Sequence, residues 1–362
     1  MSTPVPQPGI LNINPYVGGK SSAKGGQKIA KLSSNESPLG PSPKAIEAAE
    51  NIVQDLHRYP DGGAADLTTA IAEVYGLDAD RIICGNGSDE IISLLISAYV
   101  GVGDEVLYPE HGFLMYPIST HAAGGTPVAA AETNRTTDVD ALLAAVTDRT
   151  KIVFLANPNN PTGTYLPISE VERLRAGLRD NVLLVLDAAY AEYVVRDDYK
   201  SGAELVESHD NVVMTRTFSK IYGLSALRIG WGYCPPEVAD VLHRIRGPFN
   251  TNALAQAAAV AAVRDQDHVN KARAHNDKWL PILTQSLRGM GLEITPSVGN
   301  FLLIDFANSR KSAADAEKYL SGQGLLLRAV AGYGLPSCLR MSIGTDDENH
   351  AVMDALRIFL EK

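Results

Sequence analysis

The chain is predicted to fold as an α/β protein, with a large domain on a mostly parallel sheet sandwiched by helices and a smaller C-terminal α/β domain. Three observations predict it. From residue 41 to about 235, short apolar runs alternate with stretches of helical period, the pattern of strands joined by crossover helices. An Ala-rich and then a charged helical region follow, and three more strand-like runs come after them. At 362 residues, the length suits about two domains, each able to bury a core.

Residues 1–40 carry Pro, Gly, Ser and Lys with few apolar runs, so an extended N-terminal arm is expected, ordered only by docking. The large domain is expected over residues 41–260. Its strand candidates are Arg81–Cys84, Glu105–Tyr108, Ile152–Ala156, Val182–Leu186, Val212–Thr215 and Leu227–Tyr233. Between the third and fourth, Val171, Leu174 and Leu178 recur at i, i+3 and i+7 opposite Glu170, Glu172, Arg173 and Arg175, which makes one clear βαβ unit. Asn252–Val263 reads as a buried helix, since Gln256 and its short length fit no membrane span. The small domain, residues 261–362, is expected to hold a helix around His268–Leu287 and strands at Phe301–Phe306, Leu325–Val330 and Cys338–Ile343.

Composition excludes several classes of function. With 42 acidic and 32 basic side chains the net charge is −10, which argues against nucleic acid and against an anionic membrane surface. Cys84, Cys234 and Cys338 are widely spaced and odd in number, so neither a disulfide framework nor a zinc ribbon is encoded, and a cytoplasmic location is expected. Met1–Gly9 has neither the basic nor the apolar segment of a secretory signal.

Familiar motifs fail on inspection. Gly18-Gly19-Lys20-Ser21 lacks the leading glycine of a P-loop, where Asn14 stands, and no strand leads into it. Gly85-Asn86-Gly87 has Glu90 in place of the third glycine of a dinucleotide fingerprint. No histidine spacing makes a metal site, and no Gly-x-Ser-x-Gly elbow is present.

What survives is an ordered series at or beyond the ends of predicted strands: Gly87-Ser88-Asp89, the turn Asn157 to Gly163, Asp187 to Tyr190, and Ser219-Lys220 with Arg228. Ligands bind open α/β sheets at that edge, so the series can converge on one pocket. Lys220 is a polar amine closing an apolar strand, readable as a covalent nucleophile and proton carrier or as a snorkelling surface lysine. Asp187 ends an apolar run, where a carboxylate needs a cation, either a protonated pyridine or a structural arginine. Gly87, Ser88 and Asp89 suit an anion at a helix N-terminus, or a plain helix cap. Thr217, Ser219 and Arg228 would add donors to the same anion. For Asn157, turn chemistry is the simpler alternative.

Taken jointly, the chain resembles the fold-type I pyridoxal-phosphate aminotransferases, and within them the histidinol-phosphate aminotransferase family. The motifs are Ser34-Asn35-Glu36-Ser37-Pro38-Leu39-Gly40, Arg58-Tyr59-Pro60-Asp61, Gly87-Ser88-Asp89-Glu90, the Asn157 turn, Asp187 to Tyr193, Thr217-Phe218-Ser219-Lys220 and Leu339 to Thr345. They cover nearly the whole chain. The resemblance departs at Ala188, where relatives carry Glu, and in the loop before Phe113, which is one residue longer than in many.

The resemblance implies pyridoxal 5′-phosphate as cofactor, with Lys220 bonded to it and carrying the proton, and Asp187 paired with its ring nitrogen. Asn157 and Tyr190 would bond its phenolic oxygen. Phe113 would stack on its ring, with His111 as the rival. Gly87, Ser88, Asp89, Thr217, Ser219 and Arg228 would hold its phosphate, and Tyr59 would reach it from the second subunit of a homodimer. Tyr16, Asn35, Arg328 and Arg340 would bind substrate; a docking aromatic and a strand-end charge are the plainer readings of Tyr16 and Arg328. The implied reaction transfers the amino group of L-histidinol phosphate to 2-oxoglutarate in histidine biosynthesis. The alternatives are an aromatic aminotransferase and, more distantly, a decarboxylase of a phosphorylated amino acid.

Overall fold

The computed structural model describes residues 4–20 and 29–361; Ser21 of the Gly18–Ser21 motif and part of the arm lie outside them. Seven strands form the main sheet: β1 (Ile82–Gly85), β2 (Glu105–Pro109), β3 (Thr126–Ala130), β4 (Thr150–Ala156), β5 (Leu183–Asp187), β6 (Val212–Thr217) and β7 (Gly230–Tyr233). Their order is β1-β7-β6-β5-β4-β2-β3. The pairs β6–β5, β5–β4, β4–β2 and β2–β3 are parallel, whereas β7 runs antiparallel to both β6 and β1.

Both faces of this sheet are covered, which explains why its strands read as continuous apolar runs rather than alternating ones. Leu184, Leu186, Val153, Leu155, Val212 and Met214 pack into one core layer. Leu183, Val185, Ile152, Phe154 and Val213 pack into the layer on the opposite side, so the period of two is read out as two cores. The Ala-rich helix Ala253–Arg264 lies in the first layer, where its methyl groups permit close approach of Pro43–Ile52.

The second sheet holds β8 (Glu293–Ile294), β9 (Phe301–Asp305), β10 (Arg328–Ala329) and β11 (Cys338–Ser342), ordered β8-β9-β11-β10 and antiparallel throughout. Leu302, Ile304, Leu339 and Met341 pack against Trp279, Leu283 and Leu287 of the long helix Gln266–Gly289 and Val352 and Leu356 of Asp346–Glu361. Cys84, Cys234 and Cys338 are buried thiols.

Several elements differ from the sequence expectation, among them β8, which at two residues is too short to show a pattern. β3 was not foreseen: it is an edge strand with a Pro and mostly part-exposed side chains, so it has no apolar signature. Leu227–Tyr233 is not one strand, because Ser225–Leu227 is a short 3-10 turn, Arg228 takes φ +53° and β7 starts at Gly230. Leu325–Val330 is divided between two sheets. Leu325–Leu326 pairs in parallel with Ala30–Lys31, while Arg328–Ala329 joins β11. The arm is docked by Val17 and Lys20, whose carbonyls accept from Arg328 Nη2 at 2.6 Å and Ser33 Oγ at 3.0 Å.

Candidate active site

One cavity lies at the C-terminal edge of β4, β5 and β6, floored by the main sheet and walled by Arg328 and Arg340 of the second sheet and by the arm. Asp187 closes β5 in register with Ala156 of β4 and Thr215 of β6. Its Oδ2 accepts from the Tyr116 hydroxyl at 2.8 Å and its Oδ1 from Thr215 Oγ1 at 3.2 Å. No basic side chain among the described residues makes an ion pair with it. Burial therefore pushes its pKa up to about 6, with the two hydroxyl donors working in the opposite direction.

Lys220 follows β6 by a tight turn closed by Gly223 N–H to the Lys220 carbonyl and Leu224 N–H to the Phe218 carbonyl. Gly223 has φ +69°, and a Cβ there would lie 2.4 Å from Gly40, so only glycine lets this turn dock on the end of the arm segment. The turn aims Lys220 Nζ into the cavity, 3.3 Å from the Ser34 carbonyl and 5.7 Å from the centre of the Tyr190 ring. Tyr190 accepts through its hydroxyl from Asn35 Nδ2 at 2.9 Å.

At the other end, Ser88 begins the helix Ser88–Tyr99, whose first N–H groups have no helical partner. Two glycines shape this corner. A Cβ on Gly87 would lie 2.7 Å from Arg228 Nη2, and one on Gly230 would lie 2.4 Å from the Ser88 nitrogen. Arg228 spans the corner through Nη1 to Ser219 Oγ at 3.3 Å and Nη2 to Asp89 at 2.9 Å. Arg228 precedes β7 rather than following a strand; because β7 is antiparallel, its start lies at the same edge. With Thr217 and Ser219 on the wall, the corner is an anion cradle.

Three sequence expectations need correction or a choice. Asn157 does not face the cavity: its carboxamide donates to the Leu166 carbonyl at 3.0 Å and accepts from the Leu166 N–H at 2.9 Å, which fixes the turn. Asn160, three residues on, lines the cavity and accepts from Arg340 Nη1. Phe113 lines the cavity, whereas His111 is turned away, with Nδ1 2.7 Å from the Tyr333 carbonyl. Tyr59 is 82% exposed, stacked on Phe249 at 4.6 Å, and lies outside this chain's own cavity.

Arg340 is buried on β11, and burial lowers its pKa from the ordinary value. Its Nη2 donates to the Ser33 carbonyl at 2.8 Å, and its Nε is buried with no partner. Such an orphaned donor on a buried guanidinium facing a cavity is suited to an incoming anion. Arg328 and Tyr16 sit at the mouth, with the guanidinium 5.9 Å from the Tyr16 ring centre. Lys31 and Glu36, paired at 2.6 Å, also line it and were not singled out from sequence. Nor was Tyr116, which has no polar neighbours in sequence to mark it. Among the described residues, no group of His, Cys, Asp and Glu could hold a metal ion.

Known proteins resemble this chain over nearly its whole length. The model of the family described as aminotransferase class I and II matches residues 27–356. The chain is 57% identical over 361 residues to a histidinol-phosphate aminotransferase of Paramagnetospirillum magneticum, with 99% of each covered. It is 55% identical over 361 residues to one of Rhodospirillum centenum, with 100% of each covered. Among solved structures, a histidinol-phosphate aminotransferase from Sinorhizobium meliloti in complex with pyridoxal-5′-phosphate is similar at TM-score 0.86 and 31% identity, covering 93% of this chain and 92% of that one.

Proposed function

The chain belongs to the family of class I and II aminotransferases, and from that premise we propose that it transfers the amino group of L-histidinol phosphate to 2-oxoglutarate, giving imidazole-acetol phosphate and L-glutamate. The observation that carries the reading is the joint placement of Lys220, a cation-seeking Asp187, an anion cradle and the buried Arg340 around one cavity. The full-length likeness to histidinol-phosphate aminotransferases of two other organisms supports the substrate.

These residues fit pyridoxal 5′-phosphate. Asp187 would face the ring nitrogen, and the cradle of Ser88, Asp89, Thr217, Ser219 and Arg228, with the turn at Gly87, would take the phosphate. Phe113 would cover the ring. Tyr190 and Asn160, rather than Asn157, would reach the phenolic oxygen. When bound, the protonated ring supplies an electron sink for the carbon that loses its proton.

The protein's own work follows from placement. Lys220 Nζ would hold the cofactor, and as a free amine it would carry the proton away from the carbon that bears the amino group. Tyr190, held by Asn35, fixes one wall of that path. Arg340 meets the anionic end of each substrate, and Arg328 with Tyr16 closes on it from the mouth. A phosphate ester and a carboxylate can each accept two parallel N–H bonds from a guanidinium fork, so one pocket serves both half-reactions. A second copy of the chain would bring Tyr59 to this site. No helix among the described residues is long and apolar enough to cross a membrane, and a cytoplasmic homodimer is the assembly we infer.

The test is a half-reaction followed by the cofactor's visible absorbance. Conversion by L-histidinol phosphate at far lower concentration than by L-phenylalanine supports the reading. Equal or better conversion by phenylalanine makes aromatic transamination the function. Release of carbon dioxide would point to the decarboxylase, and no response to any amine overturns transamination.

A further inference from the structure

Tyr116 is fully buried beside the cavity, yet it does not line it. Its ring lies parallel to Phe154, with centres 4.4 Å apart and planes 7° apart. The edge of Phe113 meets it at 5.9 Å and 89°. Packed against both rings, Tyr116 donates its hydroxyl to Asp187 Oδ2 at 2.8 Å. Burial and the neighbouring carboxylate hold the phenol well above its ordinary pKa, so it is a donor at any working pH.

We propose that Tyr116 is a positioning residue that holds Asp187 ionised and aimed at the ring nitrogen of the cofactor while fixing the Phe113 ring that covers the cofactor. The proposal rests on the cofactor reading above. Its chemistry is that of a hydroxyl donating to a carboxylate. The bond favours the ionised form of Asp187 against its burial, and it leaves the other face of the carboxylate to a cation. Thr215 supplies the second donor to the same carboxylate, but at 3.2 Å. The remaining groups around the carboxylate are Asp89, which opposes its charge, and Lys220, which favours it.

The experiment uses the full chain, stripped of cofactor and titrated by fluorescence with two probes. One is pyridoxal 5′-phosphate; the other is its analogue with carbon in place of the ring nitrogen. Tyr116→Phe keeps the clamped ring and removes one oxygen. It should weaken binding of pyridoxal phosphate about tenfold or more while leaving the carbon analogue unchanged, because only the former meets Asp187 through a charge. Thr215→Val should move the same ratio in the same direction by less, and it carries the test if Tyr116→Phe fails to fold. Equal weakening for both probes means that Tyr116 only supports the wall, and no weakening for either means that it does nothing for the cofactor; each overturns the proposal. A wild-type chain that binds neither probe overturns the cofactor reading itself.

Discussion

The Arg216 guanidinium lies 2.7 Å from the Glu192 carboxylate, and each side chain is only 5% exposed. The pair joins β6, which carries Thr215 and Thr217, to the turn after Tyr190, so it braces two walls of the cavity from behind. Tyr75 and Trp231 lie against the guanidinium, with ring centres at 4.7 and 5.6 Å. Burial opposes the Arg216 charge, and Glu192 together with the Tyr75 and Tyr222 hydroxyls more than offsets it, so the guanidinium sits above its ordinary pKa.

Removing one partner of a buried pair leaves the other charge uncompensated. Glu192→Ala should therefore destabilise the protein by about 3–5 kcal/mol, read as a shift in the denaturant midpoint. A loss below about 1 kcal/mol would show that water reaches Arg216.

For Asp187 the sign of the pH dependence can be worked out. Burial raises its native pKa to about 6, above that of an unfolded aspartate, so the native state binds more protons between about pH 4 and 6. Stability of the cofactor-stripped protein falls over that window as pH rises, and stays low at neutral pH. Asp187→Asn removes the cost, because the amide accepts from one hydroxyl and donates to the other. The stripped variant should be more stable than wild type at pH 7, by up to about 3 kcal/mol at roughly 1.4 kcal/mol per unit, and no more stable at pH 4. Its turnover should be lost. A stripped variant that is equally stable at pH 7 would contradict the burial argument.

Much of the site was legible in the sequence because a polar group closing an apolar run is costly without a role; Asp187 after Val182–Leu186 and Lys220 after Phe218 stand out for that reason. The choice between Asn157 and Asn160 was not legible. Both precede a proline within one turn, and which carboxamide turns inward depends on Leu166, whose backbone captures Asn157. Tyr116 was hidden because its partner is distant in sequence, and an aromatic in a short helix reads as core. The division of Leu325–Ala329 between two sheets depends on Ala30–Lys31, about 295 residues earlier by count along the chain, which no local pattern reports.

The two asparagines give a paired prediction. Asn157→Ala should cost about 1–3 kcal/mol of stability, because the Leu166 N–H and carbonyl are left without their partner. Asn160→Ala should also cost about 1 kcal/mol or more, because Arg340 Nη1 loses its acceptor, but it alone should shift the pH at which the bound cofactor's visible band changes. If instead Asn157→Ala moves the band and Asn160→Ala does not, the sequence expectation stands and the assignment made from the cavity falls.

The final prediction separates the two arginines of the substrate side. Arg340 is buried, tethered by Nη1 to Asn160 and by Nη2 to Ser33, with Nε aimed at nothing else in the protein. Lysine keeps the charge, but its three donors sit on one nitrogen and cannot reproduce the planar fork that reaches Asn160 and Ser33 from separate nitrogens. Arg340→Lys should therefore lower kcat/KM for glutamate and for histidinol phosphate alike, by about 10²- to 10³-fold, the scale expected when one side of a buried charged contact is lost. Arg328 is tethered only to the Val17 carbonyl at the mouth. Arg328→Ala should cost about tenfold or less, mainly in KM, because a contact at a wet rim is screened. Equal losses in the two variants would mean that substrate charge is met at the mouth rather than on β11, and the orientation of substrate argued from the Arg340 Nε would be wrong.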